Sequence, residues 1–94
     1  MNNKERKELR KIADEFNDSI SALLLDFQEK IQEFADNEQE KMDNMPEGLQ
    51  YSERYDRMQE YVEALEGVCS DIDSVMSEFD SLIESIDDIS YDNI

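Results

Sequence analysis

A chain of 94 residues with 38% hydrophobic content holds one domain at most, and one too thin to bury a large core unaided. It has no histidine and one cysteine, Cys69. An internal disulfide is therefore excluded, a transition-metal site would have to use carboxylates alone, and the commonest general base is missing. A net charge of −17 repels nucleic acid and anionic membrane, so direct binding to either is not expected, and it favours basic partners.

The N-terminus, MNNKERKELRK, carries five bases against two acids, with no apolar run behind it that would make a signal peptide. The longest apolar run, Ala22 to Leu25, is far too short to span a membrane. A single unpaired cysteine fits a reducing compartment. The expectation is a cytoplasmic protein with no cofactor.

The first predicted element is a helix over 4–42. No proline or glycine falls between residues 1 and 45, and apolar residues recur at Leu9, Ile12, Phe16, Ile20, Leu23, Phe27, Ile31 and Phe34. The steps repeat every eleven residues, which reads in register as LRKIADEFNDS, ISALLLDFQEK and IQEFADNEQEK. Eleven residues in three turns is about 3.67 per turn, the period of a straight or slightly right-handed helix.

The stretch 43–52 is predicted to reverse the chain. It holds the only proline, Pro46, and one of two glycines, Gly48. Proline pushes Met45 out of the α region, ending the first helix there. Gly48 offers a positive φ for the reversal, and Ser52 is a candidate N-cap with Glu53 on the helix dipole. Met42, Met45, Leu49 and Tyr51 are placed to close the end of the core.

A second helix is predicted over 53–89 with a different beat. Val62, Cys69, Met76 and Ile83 occupy the a positions of a heptad, and Leu65, Ile72, Phe79 and Ile86 the d positions. The g positions are apolar as well: Tyr61, Val68, Val75, Leu82 and Ile89. Three apolar positions in seven form a stripe wide enough to touch two neighbours. Gly67 lies at an outward f position.

Two helices of nearly equal length joined by about ten residues fold back as an antiparallel hairpin. The fold class is therefore all-α, a single helical-hairpin domain over 1–94. The wide stripe predicts that two hairpins pair as a homodimeric four-helix bundle. Phe16, Ile20, Leu23, Phe27, Ile31 and Phe34, with the a and d residues of the second helix, are the expected dimer or core positions. Folding back also sets the N-terminal bases beside Glu78, Asp80, Glu84, Asp87 and Asp88, where they would neutralise the second helix locally.

Catalysis has little to work with. Carboxylate pairs such as Asp71 and Asp73 are abundant, and nothing singles one out. The calcium-loop pattern fails around them because its glycine and closing glutamate are absent. The chain is expected not to be an enzyme, and Cys69 is expected to be a small core residue. Glu66, Asp73, Asp80 and Asp87 fill the e positions of the second helix, and no lysine or arginine occurs from residue 58 onward. Carboxylates one turn apart on a helix lie about 5–6 Å from each other, comparable with neighbouring phosphates on a nucleic-acid strand. That acidic face is either a docking surface for a basic protein, in the manner of a nucleic-acid mimic, or a solubilising exterior. Glu53, Arg54 and Arg57, beside the turn, join it as candidate partner-binding residues.

The segment NMPEGLQYSER (44–54), followed by Met58 and the acidic heptads, resembles a group of small uncharacterised proteins from bacteriophages and mobile elements of Gram-positive bacteria. In that group an N-(M/L)-P-E-x-L-Q-x-S-E-R core lies between two acidic helices. Members usually carry a small residue where Tyr51 and Tyr55 stand here. The resemblance covers the turn closely and the helices in pattern, and it implies an origin rather than a mechanism. Small acidic proteins of such origin often bind and disable a host protein. The leading expectation is thus a non-catalytic interaction protein that inhibits a basic host or defence protein. The alternative is a structural or assembly bundle of phage.

Overall fold

The structure, a computed structural model, describes residues 1–91; the last three positions of the expected domain, 92–94, lie outside the described residues. Two long helices account for nearly all of it. Helix α1 spans Asn3–Asp43 and helix α2 spans Glu53–Ser90, with a single 3₁₀ turn, Glu47–Leu49, between them. Both helix boundaries fall within one residue of those expected from the sequence. The two helices pack against each other as an all-α hairpin, with no strand among the described residues.

Side chains set the helix ends. The Asn2 Oδ1 accepts the Glu5 backbone N–H at 2.8 Å, so Asn2 caps α1 in the way short polar residues satisfy orphan donors. At the other end the Met45 N–H reaches back to the Met42 carbonyl at 3.1 Å, tightening the last turn before Pro46. Ser52 is the N-cap of α2, as expected: its Oγ accepts the Tyr55 N–H at 3.2 Å and donates to the Leu49 carbonyl at 2.7 Å.

The reversal itself differs from expectation. Pro46 is extended, at φ −55° and ψ 141°, and its carbonyl accepts the Leu49 N–H at 2.8 Å. No glycine has a positive φ. The chain turns with proline's fixed φ and one 3₁₀ turn, both open to ordinary residues, so Gly48 is not required for its left-handed freedom.

The hairpin divides into two compact units, one made of Asp26–Ile72 and the other of Met1–Leu25 with α2 from Asp73 onward. In the turn unit, Met42, Met58 and Val62 form a buried cluster with Met45 and Tyr55 packed on it. This closes the end of the core as expected, except that Leu49 and Tyr51 stay exposed. In the open-ended unit, the Phe16 and Phe79 rings meet at 5.4 Å, tilted by 52°, a favourable geometry for an aromatic pair.

The heptad of α2 is observed. Val62, Cys69, Ile72 and Ile83 are buried, and Leu65, Met76, Phe79 and Ile86 half-buried. Helix α1 behaves differently. Its inward positions are Arg10, Ala13, Asn17, Ile20, Leu24, Gln28, Ile31, Ala35, Glu38 and Met42, all buried or half-buried. They alternate steps of three and four, with one departure, the consecutive four-residue steps that meet at Leu24. The eleven-residue beat is thus spent once on the inward face, close to where one unit gives way to the other.

Of the six α1 residues expected as dimer or core, Ile20 and Ile31 are half-buried inward positions. Phe16, Leu23, Phe27 and Phe34 are exposed in the single chain, Phe34 by 64%, while small Ala35 beside it is 1% exposed. The inward line of α1 uses alanines and polar stems, which allows close approach of the helices and leaves the large side chains on the flank.

At the step, Gln28 and Cys69 bond reciprocally across the turn unit. The Gln28 amide donates to the Cys69 carbonyl at 2.9 Å, and the Cys69 thiol contacts the Gln28 carbonyl at 3.7 Å. Cys69 is buried and free, in keeping with a core role.

Candidate functional site: one acidic flank and one apolar flank

Each helix has two flanks beside its inward line, and they differ in chemistry. On α2 one flank carries Glu66, Asp73, Asp80 and Asp87 at seven-residue intervals. The first three are exposed and Asp87 is half-buried. Apart from Arg54 and Arg57 at its start, α2 offers no base to offset them. The serines between the acids are held locally. Ser81 and Ser85 donate to the carbonyls four residues back at 3.2 and 3.1 Å, a common way for helix serines to satisfy themselves.

Of the five N-terminal bases, Arg6 and Arg10 take partners other than the acids of α2. Arg10 lies over the Tyr91 ring at 4.5 Å, a cation–π contact. The Arg6 guanidinium donates to the Met1 carbonyl and to Asn3 Oδ1. The ion pairs along α1 are internal to it: Lys30 with Asp26 at 2.9 Å and Lys41 with Glu38 at 3.9 Å. The hydrogen bond and charge of Asp26 raise the Lys30 ammonium above the ordinary lysine range.

The other flank is made by the residue just before alternate inward positions, counting both Leu24 and Gln28 at the step. On α1 these are Leu9, Phe16, Leu23, Phe27, Phe34 and Lys41. On α2 they are Arg54, Tyr61, Val68, Val75, Leu82 and Ile89. In a chain with 26 acidic residues, neither line contains one, although Glu38 and Glu53 stand beside them at the turn end.

The turn unit brings the ends of both lines together. An open groove of about 590 Å³ is lined by Glu38, Lys41, Glu53, Arg54, Arg57, Met58 and Tyr61. A second groove, about 350 Å³, is lined by Phe34, Glu38, Tyr61, Ala64 and Leu65. The structure therefore gathers Glu53, Arg54 and Arg57, as the sequence suggested, and adds Lys41, Phe34 and Tyr61. The signal for these three was present in the g-type spacing, but on α1 it is legible only once the inward face is known. Among the described residues, neither Arg54 nor Arg57 has an ion-pair partner.

No helix among the described residues is long and apolar enough to cross a membrane. Comparison with known proteins finds no matching family model, no matching curated protein and no matching solved structure.

Proposed function

We propose that the chain is a non-catalytic interaction protein of phage or mobile-element origin that docks, as a homodimer, on a basic protein of a bacterial host and inhibits it. The observation that supports this reading most is the row of Glu66, Asp73, Asp80 and Asp87 at seven-residue intervals of α2, with no base from residue 58 onward. Such a row presents carboxylates at near-regular intervals to a basic cleft. Side chains fixed on a helix lose little freedom when they bind, which favours association. The unpaired arginines beside the turn would supply specificity at one end.

The test is affinity capture from a Gram-positive bacterial lysate with the natural chain and with a variant carrying Glu66→Gln, Asp73→Asn and Asp80→Asn. The expected result is a basic protein retained by the natural chain alone and released as salt rises toward 0.5 M, beyond which the Debye length falls to a few ångströms (about 3 Å at 1 M). Equal capture by the variant, or capture indifferent to salt, would refute the reading. The apolar flank favours a second reading, a structural bundle of phage joined through apolar contact, and salt-indifferent capture is the result that reading expects.

A further inference from the structure

We infer that the turn unit carries a second docking site, opposite in charge to the acidic flank, for a protein segment that presents a carboxylate and a large apolar side chain about 10 Å apart. The site lies wholly within Asp26–Ile72 and stands without the basic-partner reading above.

The charged end is the larger groove, where three bases, Lys41, Arg54 and Arg57, stand against two acids, Glu38 and Glu53. Its lining is therefore net positive in a chain of −17. Lys41 is accounted for locally. It closes on Glu38 at 3.9 Å and lies in the last turn of α1, where the helix dipole favours a cation. The arginines are not accounted for in this way. Arg54 stands in the first turn of α2, where the dipole disfavours a cation, and Arg57 lies one turn on. Glu53, Asp56 and Glu60 share a shallow depression with Arg57. Even so, no carboxylate among the described residues comes within ion-pair distance of either arginine. Two exposed, unengaged guanidiniums one turn apart suit an incoming carboxylate, which their forked N–H groups can grip.

The apolar end is the smaller groove, which shares Glu38 and Tyr61 with the first and adds Phe34 and Leu65. Phe34 is 64% exposed and Tyr61 53%, so neither ring is committed to the core. Tyr61 follows Arg54 by seven residues and Phe34 precedes Lys41 by seven, which sets the apolar end about 10 Å along both helices from the charged end. Arginine and tyrosine gathered on an accessible groove are the residues that most often anchor protein interfaces. In an extended segment, side chains three residues apart span the same distance, at about 3.3 Å per residue. An acid at one of those positions answers the arginines. An aromatic or long aliphatic residue at the other fills the groove lined by Phe34 and Tyr61.

The test titrates capped hexapeptides into the isotope-labelled full chain and follows the NMR signals of Phe34, Arg54, Arg57 and Tyr61. The parent peptide is Gly-Phe-Ala-Ala-Glu-Gly, compared with forms carrying Gln or Lys for Glu, or Ala for Phe. The parent is expected to bind about tenfold more tightly than the Gln form, as a charge-assisted bond warrants, with the Lys form weaker still. The Ala form should also bind about tenfold more weakly than the parent, through lost apolar burial. Arg54→Gln with Arg57→Gln should erase the preference for Glu over Gln and keep that for Phe over Ala. Tyr61→Ala should do the reverse. All three side chains are exposed, and circular dichroism should show natural helix content in both variants. Equal binding of the Glu and Gln forms, or no saturable shift with any peptide, would overturn the site. So would tighter binding of the Lys form, which would mean that the chain's overall acidity governs the groove. Shifts reproduced by inorganic phosphate, with no preference for Phe over Ala, would reduce the site to a bare anion contact and overturn the peptide ligand. Lysate capture through Glu66, Asp73 and Asp80 is untouched by these results, so the two readings fail separately.

Discussion

Gln28 stands where the eleven-residue beat of α1 meets the heptad of α2, and its removal tests whether that junction is held by a specific bond. In Gln28→Ala the amide no longer donates to the Cys69 carbonyl, a contact of 2.9 Å. A neutral hydrogen bond of this kind contributes about 0.5–1.5 kcal/mol net. The half-buried stem adds a fraction of the roughly 0.8 kcal/mol per buried methylene. Alanine returns a few tenths through better helix propensity. The expected loss is about 1–2 kcal/mol, or a Tm lower by several degrees, at about 4–8 °C per kcal/mol for a domain of this size. Gln39→Ala is the control, because its amide bonds Asp43 one turn along the same exposed helix face and should cost under about 0.5 kcal/mol. Gln28→Glu separates bond from packing, since it keeps the stem and loses the donor. Urea unfolding followed at 222 nm, at one fixed chain concentration, gives all three values. If Gln28→Ala is no less stable than Gln39→Ala, the cross-helix bond does not hold the junction and the account of the step is wrong.

Gly67 lies on the outward face of α2 without a positive φ, and a Cβ added there would meet nothing within 4 Å. Gly67→Ala is therefore expected to stabilise the chain by about 0.8–1 kcal/mol in urea unfolding. Ser52→Ala removes the cap on the Tyr55 N–H and should cost about 1 kcal/mol, read by the same titration. Gly48→Ala should be neutral or slightly stabilising by thermal melting, because the turn uses ordinary backbone angles and the added methyl meets nothing. Lys30 should titrate above the usual lysine range by NMR. Its folded value is raised, so its contribution is complete below the unfolded lysine pKa of about 10.4 and is lost as pH rises through the folded value. Asp26→Asn should return that titration toward normal.

The helices and the turn were legible because their signals are local: apolar spacing, a proline, a serine before an acid. The core of α2 was legible for the same reason, since its a and d residues are both apolar and inward. The inward face of α1 was not. Hydrophobicity there points along Phe16, Leu23, Phe27 and Phe34, whereas close helix approach favours Ala13 and Ala35, and a pattern of apolar residues cannot rank small against large. Polar residues on the inward line, Asn17, Gln28 and Glu38, hide it further, because each keeps a polar end while its stem packs. Gly48 was read as a left-handed residue because glycine at a reversal usually is one; the adjoining proline made that freedom unnecessary. Of the candidate site, the acids of α2 and the arginines at the turn could be named from sequence. Lys41 could not, since its place beside Arg54 depends on which way α1 is turned.

The two flanks make opposite demands on salt, and that opposition ties the interaction surface to the assembly. Docking of carboxylates on a basic protein draws on attraction between unlike charges, which added salt screens. Pairing of two chains of −17 through the apolar flank would draw on apolar burial and be opposed by long-range repulsion, which the same salt also screens. Raising salt should then loosen the partner while tightening the dimer. A single surface serving both purposes could not behave so. If dimer Kd and partner Kd instead rise together between 0.05 and 0.5 M salt, carboxylates hold both interfaces, and the division of the hairpin into an acidic flank for a partner and an apolar flank for itself fails.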